Sequence, residues 1–396
     1  MNSLAGAWLV PVPVVAWYVL RALGLPVGAA EDVVTLLVMV PLGGPHVVAT
    51  LERTVFAAEF WREHRAQAAA AALVLVGTAV CAVTSVFLGA RIAGAPPMAW
   101  LLTFFFFWAG LHVVQQHGYV ARRMAAAESG VRPATIWSEQ LLLALSLYPV
   151  SLFRMSMAEG GANGGGAADP AALATVIVRA LGGSSAFADD YVFRIGRNAP
   201  ILPDWARHPA LWIAVTVAFL LAAVVFAAAA LRDHRAGRPF GRRRALVTTV
   251  ASTCFLVPLL PNLDSAFQGV NAWHSLQYLA LSRVLQHDAS CARGDGAHPA
   301  VTLESPLRTW LRGLGLTLVL VGVMLGAAFV IEVASGGAFV MFGHDVPPRD
   351  ASGQPLYRPG SVLLAYWLVG FGFLLVHYLL DSLHFVRPPA RTITAG

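Results

Sequence analysis

The sequence predicts an all-α protein, a polytopic transmembrane helix bundle of about ten spans with both termini cytoplasmic. Three observations predict it. Of 396 residues, 57% are apolar and only 12% charged, whereas about a quarter of an ordinary soluble chain is charged. The apolar residues gather in ten runs, each near the ~20 residues a helix needs to cross a bilayer. Arginine follows every second run, as expected if those ends face the cytoplasm.

The runs are 6–24, 33–52, 68–89, 98–119, 139–157, 209–231, 245–260, 264–286, 313–335 and 361–386. The first carries Pro11 and Pro13 and is expected to start as a broken helix. The seventh is short, ends at Pro258 and Pro261, and is expected to be kinked or re-entrant. The second run exits into Arg53, Arg62 and Arg65, the fourth into Arg122, Arg123 and Arg132, and the sixth into six arginines from Arg232 to Arg244. The eighth exits into Arg293 and Arg308, with Arg283 and Arg312 at the edges of that loop, and the last into Arg387 and Arg391. The short connections on the other side are poor in arginine: 25–32 has none and 90–97 only Arg91. The expected organisation is one integral membrane domain over 1–396 in the inner, cytoplasmic membrane. Two long extracytoplasmic loops interrupt it: 158–208, glycine-rich from Gly160 to Gly166, and 336–360.

Charge and cysteine content exclude several functions. The 27 basic residues are all arginine, against 21 acids, for a net charge of +6. Without lysine the chain cannot form a Schiff base with retinal or pyridoxal phosphate. The positive balance reads as the arginine belt of a membrane protein and not as a nucleic-acid footprint. Cys81, Cys254 and Cys291 make neither a disulfide framework nor a CxxC motif. No charged segment, apolar stretch and cleavage site open the chain, so no secretory signal is expected.

The histidines carry the chemistry. Six of the twelve (His64, His208, His234, His287, His298, His344) fall in polar segments and read as solvated. The other six, His46, His112, His117, His274, His377 and His384, fall inside apolar runs. Ionisable groups at membrane depth are costly and normally face a protein interior, where they bind or relay something. All six lie on runs two, four, eight and ten, those that travel inward. His46, His112, His274 and His377 each precede the first arginine of their exit by seven to ten residues. At ~1.5 Å per residue this puts them at one level, roughly 10–15 Å inside the cytoplasmic boundary. Four imidazoles from four helices at one depth are what a metal site in a bundle requires; hydrogen-bonded structural histidines are the alternative. His117 and His384 sit nearer the boundary and are further candidate ligands. On an ideal helix, however, His117 points about 140° away from His112.

Neighbouring residues fit this reading. His377, Asp381 and His384 share one helix face, so Asp381 is a candidate to ligate an ion or to orient a ligand histidine. Thr50 and Arg53 follow on the face of His46. Tyr119 lines up with His112, and Tyr278 with Asn271 and His274. Both tyrosines are candidate hydrogen-bond donors to bound oxygen, with plain packing as the alternative. Imidazole ligands suit iron, zinc, copper or nickel, and histidine plus one carboxylate is the pattern of oxygen-activating non-haem iron. Fe2+ is therefore the expected cofactor and Zn2+ its rival. A site in an apolar bundle would draw lipophilic substrates from the surrounding membrane lipids. No motif identifies an electron donor. A metal-ion or proton transporter using the histidine ladder stays open, as does haem ligation, although no matched inverted halves are visible.

Three segments carry a family resemblance: Gly44-Pro45-His46 in PLGGPHVVAT, His117-Gly118 in LHVVQQHGY, and Trp273-His274-Ser275 in NAWHSLQYL. In order and content they resemble the bacterial membrane family of beta-carotene-cleaving oxygenases. Where that family places a second histidine four residues after the Trp-His-Ser histidine, this chain has Tyr278, and it adds HYLLDSLHF on the last span. The resemblance implies a polytopic non-haem iron oxygenase acting on an isoprenoid or other lipid; from the residues alone the enzyme class stays open among oxygenase, desaturase and hydroxylase.

Overall fold

The computed structural model describes residues 7–25, 27–128, 130–156, 205, 208–238, 241–259, 263–292, 306–335 and 360–385. Almost all of them are helical. Among the described residues, seven helices are long and apolar enough to cross a membrane: Ala29–Arg53, Arg65–Val86, Pro97–Ala127, Pro133–Phe153, Ala210–Arg235, Leu307–Ala334 and Ser361–Leu383. The chain is thus a multi-pass, all-helical membrane protein. Both long loops expected from the sequence lie outside the described residues, apart from Trp205, His208 and Gly360.

The other three runs take different forms. Residues of 6–24 form a short 3-10 turn, Ala7–Leu9, and a helix, Val12–Ala22, the break falling at the prolines. The run 245–260 is the helix Arg242–Thr253 closed by a 3-10 segment, Cys254–Leu259. The run 264–286 lies in the 30-residue helix Leu263–Ala292, which carries Gln268, Asn271, His274 and Gln277 among its apolar residues.

Two compact units divide the chain. The first takes Met1–Val38, Gly110–Gly296 and Phe385–Gly396; the second takes Met39–Ala109 and Ala297–His384. The helices Pro97–Ala127 and Phe371–Phe385 each contribute residues to both.

In the first unit, Val113, Val114, Leu143, Ala251, Phe255, Val270 and Trp273 build a core together with Val10. Gly269 is required there, because a Cβ would run into the backbone carbonyl of Val10. The unit also buries charge. Arg244 and Glu139 are both fully buried. The guanidinium donates from Nε at 3.1 Å and from Nη2 at 2.6 Å to the Glu139 carboxylate, and from Nη1 to Glu128 at 3.1 Å. The Thr248 hydroxyl donates to Glu139 at 2.5 Å. Each carboxylate is thus paired and hydrogen-bonded, the condition for keeping charge out of water.

In the second unit, Leu51, Phe60, Ala68, Ala71, Val376 and Leu380 form the core. Among the described residues its helices depart from α geometry at the π-helical turns Met39–Gly43 and Tyr366–Gly370. The first has a visible cause. Pro45 has no N–H to give the carbonyl of Pro41 one turn earlier. The indole of Trp310 donates to that carbonyl instead, at 2.7 Å. Trp310 belongs to the helix Pro306–Ala334, whose Gly313 approaches Pro45 closely and whose Thr317 occupies the space a Cβ on Gly44 would need. The Gly-Gly-Pro sequence is therefore a docking surface for that helix, and it fixes where the next residue, His46, projects.

Candidate metal centre

Each unit holds a pair of buried histidines. In the second unit, His46, two residues into the helix Gly44–Arg53, meets His377 on the helix Phe371–Phe385. Their ring centroids are 4.4 Å apart and nearly perpendicular. Each lies a short distance after one of the π turns, and such turns recur at functional sites because they re-aim the residues that follow.

A polar network holds His377. Its Nδ1 lies 2.9 Å from the Thr50 hydroxyl and 3.4 Å from Oδ2 of Asp381. Thr50 donates to the Asp381 carboxylate at 3.2 and 3.3 Å, so its oxygen is left to accept from Nδ1–H. Arg53 stands 3.7 Å from Asp381 and also donates to the carbonyl of Ala49. The carboxylate is 4% exposed, and Arg53 supplies the opposite charge that makes its burial tolerable. Asp381 therefore acts on His377 from behind, through the nitrogen that Thr50 also touches. This is how carboxylates set the tautomer and direction of metal-binding imidazoles.

In the first unit, His112 on the helix Pro97–Ala127 faces His274 on the helix Leu263–Ala292, with centroids 5.0 Å apart at 79°. The Phe385 ring packs on His112 at 5.8 Å, on Tyr119 at 5.4 Å and on Tyr278 at 6.3 Å. Its backbone carbonyl, at the end of its helix, accepts from the Arg122 guanidinium at 2.5 Å. That bond satisfies a helix-terminal carbonyl and anchors the ring on which both tyrosines rest.

Taken together, His46, His112, His274 and His377 are a group that could hold a metal ion. One ring nitrogen from each can be chosen so that all lie within 4.8 Å of one another, and all four residues are buried. The donor set fits a borderline transition metal: imidazole nitrogen throughout, with no thiolate.

Of the six histidines expected at membrane depth, the structure brings these four together. His117 is buried but is not one of that group; its ring lies 4.8 Å from that of Trp273. This agrees with its direction on an ideal helix, well away from His112. His384 lies in the last described helix, its side chain outside the described residues. Asp381 sits behind His377, and Tyr119 and Tyr278 stand against Phe385. Thr50 is the residue whose importance the sequence understates. Its place on the face of His46 is visible, but its partnership with a histidine 327 positions later is not.

No family model, curated protein or solved structure matches the chain.

Proposed function

We propose that this chain is an integral membrane oxygenase that holds non-haem iron on His46, His112, His274 and His377 and acts on a lipophilic substrate of isoprenoid or lipid type. The observation that carries the proposal is the meeting of four buried imidazoles. Arginine placement supports a topology of ten spans, with both termini cytoplasmic and the histidines in the inner half of a bacterial cytoplasmic membrane. The Gly-Pro-His and Trp-His-Ser motifs support the choice of iron and of an oxygenase over a zinc hydrolase.

Bound iron would supply the one-electron chemistry through which oxygen reacts with an unsaturated hydrocarbon. The chain's own part is to bind, orient and exclude water. Thr50 and Asp381 hold Nδ1–H of His377, which would leave Nε2 to hold the ion. Arg53 stands beside Asp381 and offers it the opposite charge. Tyr119 and Tyr278 serve as hydrogen-bond donors to the reactants, steadied by Phe385. The apolar surroundings suit a substrate that arrives through the bilayer.

The test is metal analysis of the detergent-purified protein and of His46→Ala, His112→Ala, His274→Ala and His377→Ala. Near-stoichiometric iron in the parent that falls in every variant is the expected result. Iron retained in all four variants overturns the ligand assignment. Lipid extracts from hosts with and without the gene then identify the substrate class. Iron uptake into proteoliposomes with no change in the lipids would establish a carrier instead.

A further inference from the structure

A second cluster of buried polar atoms lies in the first unit, where the helices Pro97–Ala127 and Leu263–Ala292 meet. Gln116, His117, Trp273 and Gln277 are each at most 1% exposed. The Gln116 amide donates to the carbonyl of His274 at 3.0 Å and to Oε1 of Gln277 at 2.8 Å. That uses the Gln116 nitrogen and the Gln277 oxygen. Gln116 Oε1, Gln277 Nε2, Trp273 Nε1 and both ring nitrogens of His117 have no hydrogen-bond partner.

These five atoms belong together. Gln116 and His117 are adjacent. Trp273 and Gln277 are one turn apart on the same helix face. Gln116 touches Gln277, and His117 lies against Trp273. Buried polar atoms are nearly always satisfied, and an apolar environment gives these no alternative. So many at one crossing point to a guest that supplies the missing bonds.

The donor inventory says what kind. The Gln277 amide, the Trp273 indole and one nitrogen of neutral His117 donate; Gln116 Oε1 and the other His117 nitrogen accept. A metal ion is a poor fit, because donors outnumber ligand atoms and no carboxylate takes part. An anion is a poor fit, because no cationic side chain takes part and two acceptors would face it. A neutral hydroxylic oxygen, which both donates and accepts, matches the set.

We propose that this crossing is a binding site for a neutral hydroxylic oxygen, supplied by an internal water molecule or by the hydroxyl of a lipid. The proposal does not depend on whether the four-imidazole group holds iron. Water is the common answer to such clusters in proteins, where one buried molecule makes about three hydrogen bonds.

The experiment is solid-state NMR on the full chain, deuterated at carbon, labelled with 15N-histidine and reconstituted in vesicles of phosphatidylcholine and phosphatidylglycerol. Polarisation is passed to the ring nitrogens from water protons in one measurement and from lipid C–H protons in another. His117→Gln assigns the His117 signals. Rapid transfer to His117 from water alone identifies water as the guest, and transfer from lipid C–H protons as well identifies a lipid hydroxyl. Absence of both transfers overturns the proposal. Thermal stability gives a separate readout on His117→Phe, which removes two of the five atoms at similar ring size. A filled site loses hydrogen bonds, and the melting temperature falls by about 2 °C or more. An unchanged or higher melting temperature shows that the atoms were never satisfied and also overturns the proposal.

Discussion

The imidazole of His377 and the hydroxyl of Thr50 stand 2.9 Å apart, joining residues from opposite ends of the chain. The hydroxyl is shared: it accepts from His377 and donates to Asp381. It therefore dictates which histidine nitrogen carries the proton. Losing it would free the ring to rotate and to change tautomer.

Thr50→Val keeps the side-chain shape and deletes that hydroxyl. The expected result is folded protein whose iron affinity falls about 10- to 100-fold, the usual cost of removing a partner behind a ligand histidine. Thr50→Ser should retain most of the affinity. Competition against a graded series of chelators measures both.

Asp381 and Arg53 form a charge pair beside the same histidine. Asp381→Asn leaves one acceptor for Thr50 but removes the charge. Iron affinity is expected to fall less than in Asp381→Ala. Arg53→Gln should destabilise the protein by about 1–3 kcal/mol, because it strands a buried carboxylate. The double variant Arg53→Gln/Asp381→Asn should recover part of that loss in thermal unfolding, as expected for directly coupled groups.

Gly44 leaves room for Thr317 and nothing larger than hydrogen. Gly44→Ala is expected to cost about 1–3 kcal/mol by overpacking. Thr317→Ala removes the atoms it would strike. Gly44→Ala combined with Thr317→Ala should therefore be more stable than Gly44→Ala alone. Unfolding in detergent gives the comparison.

Arg244 is fully buried between Glu139 and Glu128. Arg244→Leu leaves the buried carboxylate of Glu139 without its cation, and a loss of about 3–5 kcal/mol is expected. Arg244→Leu combined with Glu139→Leu should recover a large part. Full destabilisation in the double variant would show that the pair is not what Arg244 supports.

How much of this was legible follows from the range of each signal. The apolar runs and their prolines locate the helices well, because length and hydropathy are local. The common depth of His46, His112, His274 and His377 is also local, being counted from the nearest arginine. Glu139 and Arg244 show where the reading fails. Taken singly, Glu139 marks the start of an apolar run and Arg244 is one more arginine of a basic loop. The helix in fact begins earlier, at Pro133, and holds Glu139 inside. Only the partner 105 positions away makes either residue apolar-compatible, and spacing cannot reveal a partner at that distance. The Gln116–Gln277 contact escapes for the same reason. The wide turn at 39–43 is different, since two prolines four apart already imply a fault in the hydrogen-bond ladder. Its filler, Trp310, does not announce itself.

The Glu139–Arg244 pair has a consequence for biogenesis. A ribosome delivers the acid long before the base that neutralises it, so for the time it takes to translate the intervening hundred-odd residues Glu139 must wait without its cation. The segment that carries it cannot come to rest at its final depth until the later segment arrives. The last step in the insertion of this part of the protein thus waits for Arg244, whatever the order in which the translocon releases the helices.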